Sequence, residues 1–225
     1  TMTNDVQILN NGYPMPAVGL GVYKIADEQM EEVVRTALDA GYRAFDTAYF
    51  YGNEKALGSA LKHSNVERDE LFITSKLWND YQGYDQTIEY FNKSLDNLGL
   101  DYLDLFLIHW PCENDQLYIE SYKALEHLYE EGKIKAIGVC NFKIHHLEKL
   151  MKETKITPQV NQIELHPYFN QQDVQDFCDE HDIKVTAWMP LMRNKGLLDD
   201  PVITDIAHLS LIHISEPTRQ EAISY

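Results

Sequence analysis

A strand, a helix and a second strand follow one another in the middle of the chain, and this pattern decides the fold. LDLFLIHW occupies residues 103–110, QLYIESYKALEHLYEEG occupies 116–132, and IKAIGVCN occupies 134–141. The middle segment has the apolar spacing of a helix and ends in Gly132, a residue type favoured just after a helix. The flanking segments begin with nearly continuous apolar runs, which are typical of parallel strands buried on both faces.

The same unit recurs along the whole chain, with short β-rich runs alternating with longer segments of helical period. This alternation predicts an α/β protein with a parallel sheet, either a doubly wound sheet or a (β/α)₈ barrel. Strands are predicted at Val18–Leu20, Tyr42–Phe45, Leu71–Thr74, Leu103–Ile108, Ile134–Val139, Gln159–Ile163 and Lys184–Ala187. Helices are predicted at Asp27–Ala40, Asn53–His63, Tyr84–Leu98, Gln116–Glu131, Ile144–Glu153 and Gln171–His181.

The absence of a dinucleotide-binding glycine motif favours the barrel. A Rossmann sheet carries G-x-G-x-x-G early in the chain, and the nearest candidate here, Gly19-Leu20-Gly21, has no third glycine. Asn11-Gly12 between two short apolar runs also predicts an N-terminal hairpin with a type I′ turn. We therefore expect a TIM barrel with an N-terminal β-hairpin. It is incomplete, because seven strands are recognisable where a closed barrel needs eight.

The charge and the cysteine count exclude several classes of protein. The 225 residues carry 19 Lys and Arg against 36 Asp and Glu, a net charge of −17. Without a basic cluster, a nucleic-acid or anionic-membrane partner is not expected. Three cysteines without metal-ligand spacing predict reduced thiols. With no apolar run of membrane-spanning length and no targeting signal, we expect a cytoplasmic protein. We also expect it to be a monomer.

Polar or large aromatic residues end six of the predicted strands. A barrel gathers the carboxyl ends of its strands around one mouth, where barrel enzymes place their chemistry. One such residue merely caps a strand as often as not, but six in succession predict a site. They are Asp46, Lys76, His109, Asn141, Gln162 and Trp188.

Three of these residues, together with Tyr51, suggest a proton-donating site. If they meet, Asp46 balances the charge of Lys76, and the Lys76 cation lowers the pKa of the Tyr51 phenol. Tyr51 is then a general acid for a substrate oxygen that His109 orients by a hydrogen bond. A site that protonates an oxygen without a nucleophile or a metal indicates carbonyl reduction, with hydride from a cofactor.

Five motifs resemble those of the aldo-keto reductase family, in order along residues 1–208. The resemblance is closest to the small bacterial reductases of glyoxals and 2,5-diketogluconate. The motifs are GYRAFDTA at 41–48 with YGNE at 51–54, ITSKLW at 73–78, LIHWP at 107–111, GVCNF at 138–142 and VNQIELHP at 160–167.

The resemblance implies NADPH-dependent reduction of small dicarbonyl or sugar-type carbonyl substrates, with NADH as an alternative cofactor. It implies that Tyr51 donates the proton, that Lys76 and Asp46 tune it, and that His109 orients the substrate. Asn141 and Gln162 match the residues that hold the nicotinamide carboxamide, and Trp188 matches the ring that stacks on the nicotinamide. Further cofactor contacts are expected at Val22, Asp46, Cys140, Met189 and Leu191, and substrate contacts at Tyr23, Trp78, His109 and Trp110.

Other interpretations of single residues remain open at this level. Trp78, Trp110 and Trp188 are alternatively core aromatics. His145-His146 has the look of a metal pair but no third ligand, so it is interpreted as a solvated helix face and no metal is expected. Glu164 with Asp46 would suit a glycosidase, although that chemistry has no use for Tyr51 and Lys76.

The last segment departs from the family pattern. LSLIHISEPTR at 209–219 resembles no reductase segment and is similar to a translated sequencing adapter joined to a truncated reading frame. We therefore predict an incomplete barrel at 1–208 and a non-family tail at 209–225. The family's Lys-Ser/Thr…Arg segment, which binds the NADPH 2′-phosphate, is missing with the eighth βα unit. An inactive truncated barrel or a weak nicotinamide-binding module is thus the alternative function.

Overall fold

The computed structural model describes residues 5–165 and 168–188, and for Trp188 the backbone only. A small antiparallel hairpin, β1 (Val6–Ile8) and β2 (Pro14–Pro16), precedes a parallel sheet of seven strands. The sheet strands are β3 (Leu20–Gly21), β4 (Ala44–Asp46), β5 (Phe72–Leu77), β6 (Leu103–Ile108), β7 (Ile134–Cys140), β8 (Val160–Glu164) and β9 (Lys184–Trp188).

Strand order in the sheet follows the order of the chain from β3 to β9, and every neighbouring pair is parallel. In a doubly wound sheet the strand order would reverse at a switch point, and this sheet has no such reversal. The barrel prediction is therefore confirmed over the described residues. Helices follow the strands as predicted, with ends that differ by one residue at most. They are α1 (Asp27–Asp39), α2 (Glu54–Lys62), α3 (Tyr84–Leu98), α4 (Asp115–Glu130), α5 (Ile144–Glu153) and α6 (Gln172–Glu180).

The two faces of each strand explain the nearly continuous apolar runs. In β6, Phe106 and Ile108 belong to the large cluster between sheet and helices. Leu105 and Leu107 belong to a second, inner cluster together with Leu9 and Met15 of the hairpin segment. The hairpin therefore fills the floor of the sheet at the amino ends of the strands and leaves the carboxyl ends clear.

The predicted hairpin is present, but its turn is not the predicted type. A type I′ turn needs positive φ at both central residues, whereas Gly12 alone of the Asn11-Gly12 pair has one, at 89°. The Gly12 amide donates to the Leu9 carbonyl at 2.8 Å, and the Leu9 amide donates to the Tyr13 carbonyl at 2.9 Å. This is a three-residue loop with glycine in the left-handed position, which serves the same connection.

Several predictions can be compared with the structure only in part. Among the described residues, which include all three cysteines, no disulfide is formed; Cys140 and Cys178 are buried and Cys112 is exposed. Within the described part of the chain, no helix has the length and apolar character that a bilayer crossing requires. Met189, Leu191 and the predicted tail at 209–225 lie outside the described residues.

Candidate active site

Four side chains that the sequence singled out meet at the carboxyl ends of three adjacent strands. Asp46 is the last residue of β4, Lys76 lies near the end of β5, and His109 directly follows β6. Tyr51 ends a short 3₁₀ turn, Tyr49–Tyr51, that follows β4. We call Asp46, Tyr51, Lys76 and His109 the tetrad below.

Lys76 is the centre of the tetrad. Its side chain is 1% exposed and forms an ion pair with Asp46. The ammonium also donates to the Thr47 carbonyl at 2.9 Å and reaches the Tyr51 hydroxyl at 3.5 Å. Burial by itself would lower the pKa of Lys76. The Asp46 carboxylate has the opposite effect, and the pKa is raised above its ordinary value. The protein therefore holds a fixed cation beside the phenol.

Tyr51 does not have the lowered pKa that the sequence predicted. Burial raises the pKa of its phenol, and the opposing effect of the Lys76 cation is too small to reverse this. The prediction included the charge of Lys76 but not the loss of solvent around Tyr51, which has the larger effect on the pKa of the phenol. Tyr51 is consequently protonated at neutral pH, which is the form that a proton donor requires.

His109 is neutral for two reasons. Burial, and then the nearby Lys76 cation, lower the pKa of its imidazole to about 3. Its ring lies 5.9 Å from the Tyr51 ring and 5.4 Å from the Trp78 ring, centroid to centroid. Among the described residues, its buried Nδ1 has no hydrogen-bond partner. Tyr51 therefore has a neutral, largely buried imidazole as its neighbour.

Two amide side chains continue the site on the next strands. Asn141, just after β7, has a positive φ of 64° and donates from Nδ2 to the His109 carbonyl at 3.0 Å. Gln162 of β8 donates from Nε2 to the second oxygen of Asp46 at 2.9 Å. In both side chains the amide nitrogen donates a hydrogen bond within the protein. The amide oxygens form no hydrogen bond among the described residues. Two acceptors at the mouth suit the NH₂ of a carboxamide, so these residues fit the nicotinamide.

Of the other residues predicted to bind the cofactor, Val22 and Cys140 are buried. For Trp188 only the backbone is described. Val22 is fully buried, and its amide donates to the Asp46 carbonyl at 3.0 Å. Cys140 is buried, and burial raises the pKa of its thiol above the ordinary value, so it is an uncharged neighbour of the tetrad. Trp188 ends β9 opposite Glu164, and its side chain lies outside the described part.

Aromatic side chains surround the tetrad. For two of them, Trp78 and Trp110, the alternative of a core position is wrong. Trp110 is 39% exposed and Trp78 is partly exposed, so neither is a core residue. Tyr23, 50% exposed, packs on Tyr51 with ring centroids 4.9 Å apart. The sequence analysis missed Phe50, which stacks on Trp78 at 3.8 Å and is half exposed. Its position next to Tyr51 was the available signal.

The other two alternatives are not supported by contacts. Glu164 forms no hydrogen bond or ion pair with Asp46 within the described segments, and its carbonyl accepts from Gln171 at 2.9 Å. His146 is less solvated than predicted, because its ring packs on Tyr118 and Phe142. The described residues contain no group of three or more His, Cys, Asp or Glu side chains able to hold a metal ion.

Known proteins are similar to this chain in sequence and in fold. The sequence pattern of the Aldo/keto reductase family matches residues 17–213. The chain is 50% identical over 208 residues to the glyoxal reductase of Bacillus subtilis, covering 92% of this chain and 74% of that protein. It is 46% identical over 200 residues to the methylglyoxal reductase DkgA of Escherichia coli O157:H7, covering 88% and 72%. A Bombyx mori aldo-keto reductase solved in complex with NADP superposes with a TM-score of 0.76 at 33% identity, covering 82% of this chain and 66% of that one.

Proposed function

Because this chain belongs to the aldo/keto reductase family, we propose that it reduces small aldehydes and ketones to alcohols with NADPH. The substrate class is a dicarbonyl such as a glyoxal, or a sugar-type carbonyl. The observation that carries the proposal is the Tyr51 hydroxyl, protonated, 3.5 Å from the buried Lys76 ammonium. Two relatives named for glyoxal and methylglyoxal reduction support the substrate class.

The tetrad divides the chemistry among its members. When the carbonyl oxygen gains negative charge, Tyr51 gives it the phenolic proton, and the Lys76 cation stabilises the phenolate that is left. Asp46 keeps Lys76 charged in a buried position, where a lone ammonium would lose its proton. His109 stays neutral, so it holds the substrate oxygen by a hydrogen bond without competing as a proton donor.

The residues that would hold the nicotinamide include Asn141 and Gln162, at the ends of β7 and β8 next to the tetrad. The bound cofactor supplies the hydride that the carbonyl carbon receives. Asn141 and Gln162 would accept hydrogen bonds from the carboxamide, and Val22 and Cys140, both buried, are the further expected contacts. We also assign Trp188, Met189 and Leu191 to the cofactor, and the Trp188 ring would stack on the nicotinamide. The NADP complex of the Bombyx mori reductase supports this choice of cofactor.

The exposed aromatic side chains form the substrate wall. Tyr23 packs on the Tyr51 ring, Trp78 and Trp110 pack on His109, and all three present flat apolar faces. Such faces remove water from the reacting oxygen and strengthen the charge interactions of the tetrad. Within the proposed substrate class, an apolar wall with few polar groups best suits small dicarbonyl compounds, whose only strong hydrogen-bond acceptors are the two carbonyl oxygens.

The test is the loss of NADPH absorbance when the purified 225-residue chain is mixed with methylglyoxal. Tyr51→Phe is the matched variant, because the ring stays and only the transferable proton is lost. We expect turnover to fall by about 10²–10⁴-fold with nearly unchanged NADPH affinity. Equal turnover of the two proteins would remove Tyr51 from the mechanism.

The same experiment separates reduction from binding alone. NADPH is titrated into the wild-type chain, with NADH in parallel, and binding is followed by protein fluorescence. Tight NADPH binding without turnover of methylglyoxal or a sugar-type carbonyl would favour the nicotinamide-binding module. Absence of both binding and turnover would favour the inactive barrel.

A further inference from the structure

One buried amide outside the tetrad touches three segments that form the mouth. Asn53 is 4% exposed and occupies the N-cap position of α2. An asparagine there ordinarily accepts a hydrogen bond from an amide of the first helical turn. Asn53 makes no such bond. Its side chain is instead used for contacts with other loops.

These contacts join the loop after β3 to the end of β4. Asn53 Nδ2 donates to the Val22 carbonyl at 2.9 Å and to the Ile25 carbonyl at 3.3 Å. Asn53 Oδ1 accepts from the hydroxyl of Thr47, a fully buried residue, at 2.9 Å. The carbonyl of the same Thr47 accepts from the Lys76 ammonium at 2.9 Å. Thr47 therefore connects the Asn53 amide to the tetrad lysine. The same amide also binds the loop after β3.

Both ends of this connection carry an aromatic ring of the site. Tyr23 lies in the loop between Val22 and Ile25. Tyr51 is separated from Asn53 only by Gly52, which has a φ of 72° and so takes a conformation suited to glycine. The Tyr23 and Tyr51 rings are in contact, with centroids 4.9 Å apart.

We propose that Asn53 is a positioning residue that holds Tyr51 near Lys76 and Tyr23 against Tyr51. The groups it positions have the roles given under the proposed function, on which the inference rests. Because all its partners are buried or backbone groups, truncation of the amide leaves the Ile25 carbonyl and the Thr47 hydroxyl unpaired, and the Val22 carbonyl keeps only the bond from the Ile25 amide. The loops must move to replace the lost bonds. A displacement of about 1 Å at a catalytic group costs on the order of 10²-fold in rate.

The experiment measures kcat for methylglyoxal reduction at saturating NADPH, at a temperature well below every variant's melting transition. Asn53→Ala removes the amide, Thr47→Val removes only the hydroxyl that binds it, and Thr47→Ser keeps that hydroxyl. Asn10→Ala is the matched control. Asn10 also donates to two carbonyls, of Pro158 and Asp182, and accepts from Gln159, but it lies on the floor of the sheet.

We expect Asn53→Ala and Thr47→Val each to lower kcat by about tenfold to a hundredfold. Thr47→Ser should restore kcat, and Asn10→Ala should keep it, although both asparagine variants lose hydrogen bonds. The double variant Thr47→Val with Asn53→Ala should be no slower than Asn53→Ala, because both act through one shared bond. Wild-type kcat in Asn53→Ala, additive losses, or equal losses in Thr47→Ser and Thr47→Val would overturn the proposal.

Hydrogen exchange distinguishes a failure of this inference from a failure of the proposed function. The amides of Val22, Ile25, Thr47 and Tyr51 are hydrogen-bonded and report on the two loops. Faster exchange of both loops in Asn53→Ala, and not in Asn10→Ala, supports the connection even if wild type reduces no carbonyl. Unchanged exchange in either loop contradicts it.

Discussion

His109 carries the clearest consequence at the scale of one residue. The pKa of its imidazole is about 3 in the folded protein and about 6.5 in an unfolded chain, because burial and the Lys76 cation oppose the protonated form. Below pH 6.5 the unfolded chain binds a proton that the folded protein refuses. Stability is therefore complete above pH 6.5 and is lost progressively as the pH falls towards 3.

We predict that His109→Gln flattens this pH dependence. A difference of one in pKa between the two states is worth about 1.4 kcal/mol, so between pH 7 and pH 5 the histidine accounts for up to about 2 kcal/mol. The measurement is urea unfolding of both proteins at the two pH values, comparing the change with pH and not the absolute stability. His63→Gln, an exposed position, is the control. An identical loss in wild type and His109→Gln would show that His109 is not buried as described.

At the scale of elements, Gly138 decides how closely β7 and β8 approach. A Cβ at Gly138 would overlap the Val160 carbonyl oxygen and meet the Leu107 side chain at 3.0 Å. The strand neighbours Gly138 and Val160 are paired in register, so neither can withdraw without breaking the ladder. Glycine in a strand interior often marks such a close backbone approach.

We expect Gly138→Ala to lower the free energy of unfolding by at least about 1–3 kcal/mol, the usual cost of overpacking. Gly21→Ala is the matched control. Gly21 is also a strand glycine, and a Cβ there would meet nothing within 4 Å. Thermal melts of the two variants and wild type decide the question. Equal melting temperatures for the two variants would mean that the strands separate without cost.

At the scale of the whole molecule, a buried carboxylate fastens the N-terminal hairpin to the sheet. Asp104 of β6 accepts from the Tyr13 hydroxyl at 2.6 Å and from the Ile73 amide at 2.8 Å. It also pairs with Arg68 at 2.8 Å. The floor of the sheet thus has its own polar anchor, at the end opposite to the tetrad.

We predict that Tyr13→Phe destabilises the protein without changing its chemistry. A hydrogen bond to a charged group contributes about 1.5–3 kcal/mol, and Tyr13 is partly exposed, so the lower value applies. Chemical unfolding should show this loss, while kcat and KM for methylglyoxal stay at wild-type values. Tyr168→Phe, at a residue 96% exposed, should change neither. A lower kcat in Tyr13→Phe would show that the floor and the mouth are coupled.

The sequence by itself determined the elements and the residues at their ends. Strands, helices and the grouping of Asp46, Lys76, His109, Asn141 and Gln162 follow from hydrophobic periodicity and from the direction shared by parallel strands, which are properties of each segment. Seven strands in chain order then place these side chains at one mouth. Tyr51 joined this group because it follows Asp46 closely in the chain, and the family motifs agreed, although no periodicity indicates its position in a turn.

Only the tertiary structure decided the quantities that depend on distant neighbours. The pKa of Tyr51 is raised because burial outweighs Lys76, and no local pattern measures burial of a turn residue. Phe50 is a wall residue because Trp78, which directly follows β5, lies against it. Asn53 occupies the cap position of α2 but makes no side-chain cap bond, because Val22, Ile25 and Thr47 offer its amide buried partners. Burial and partners across the sheet exist only once the chain has folded, which is why local sequence could not supply them.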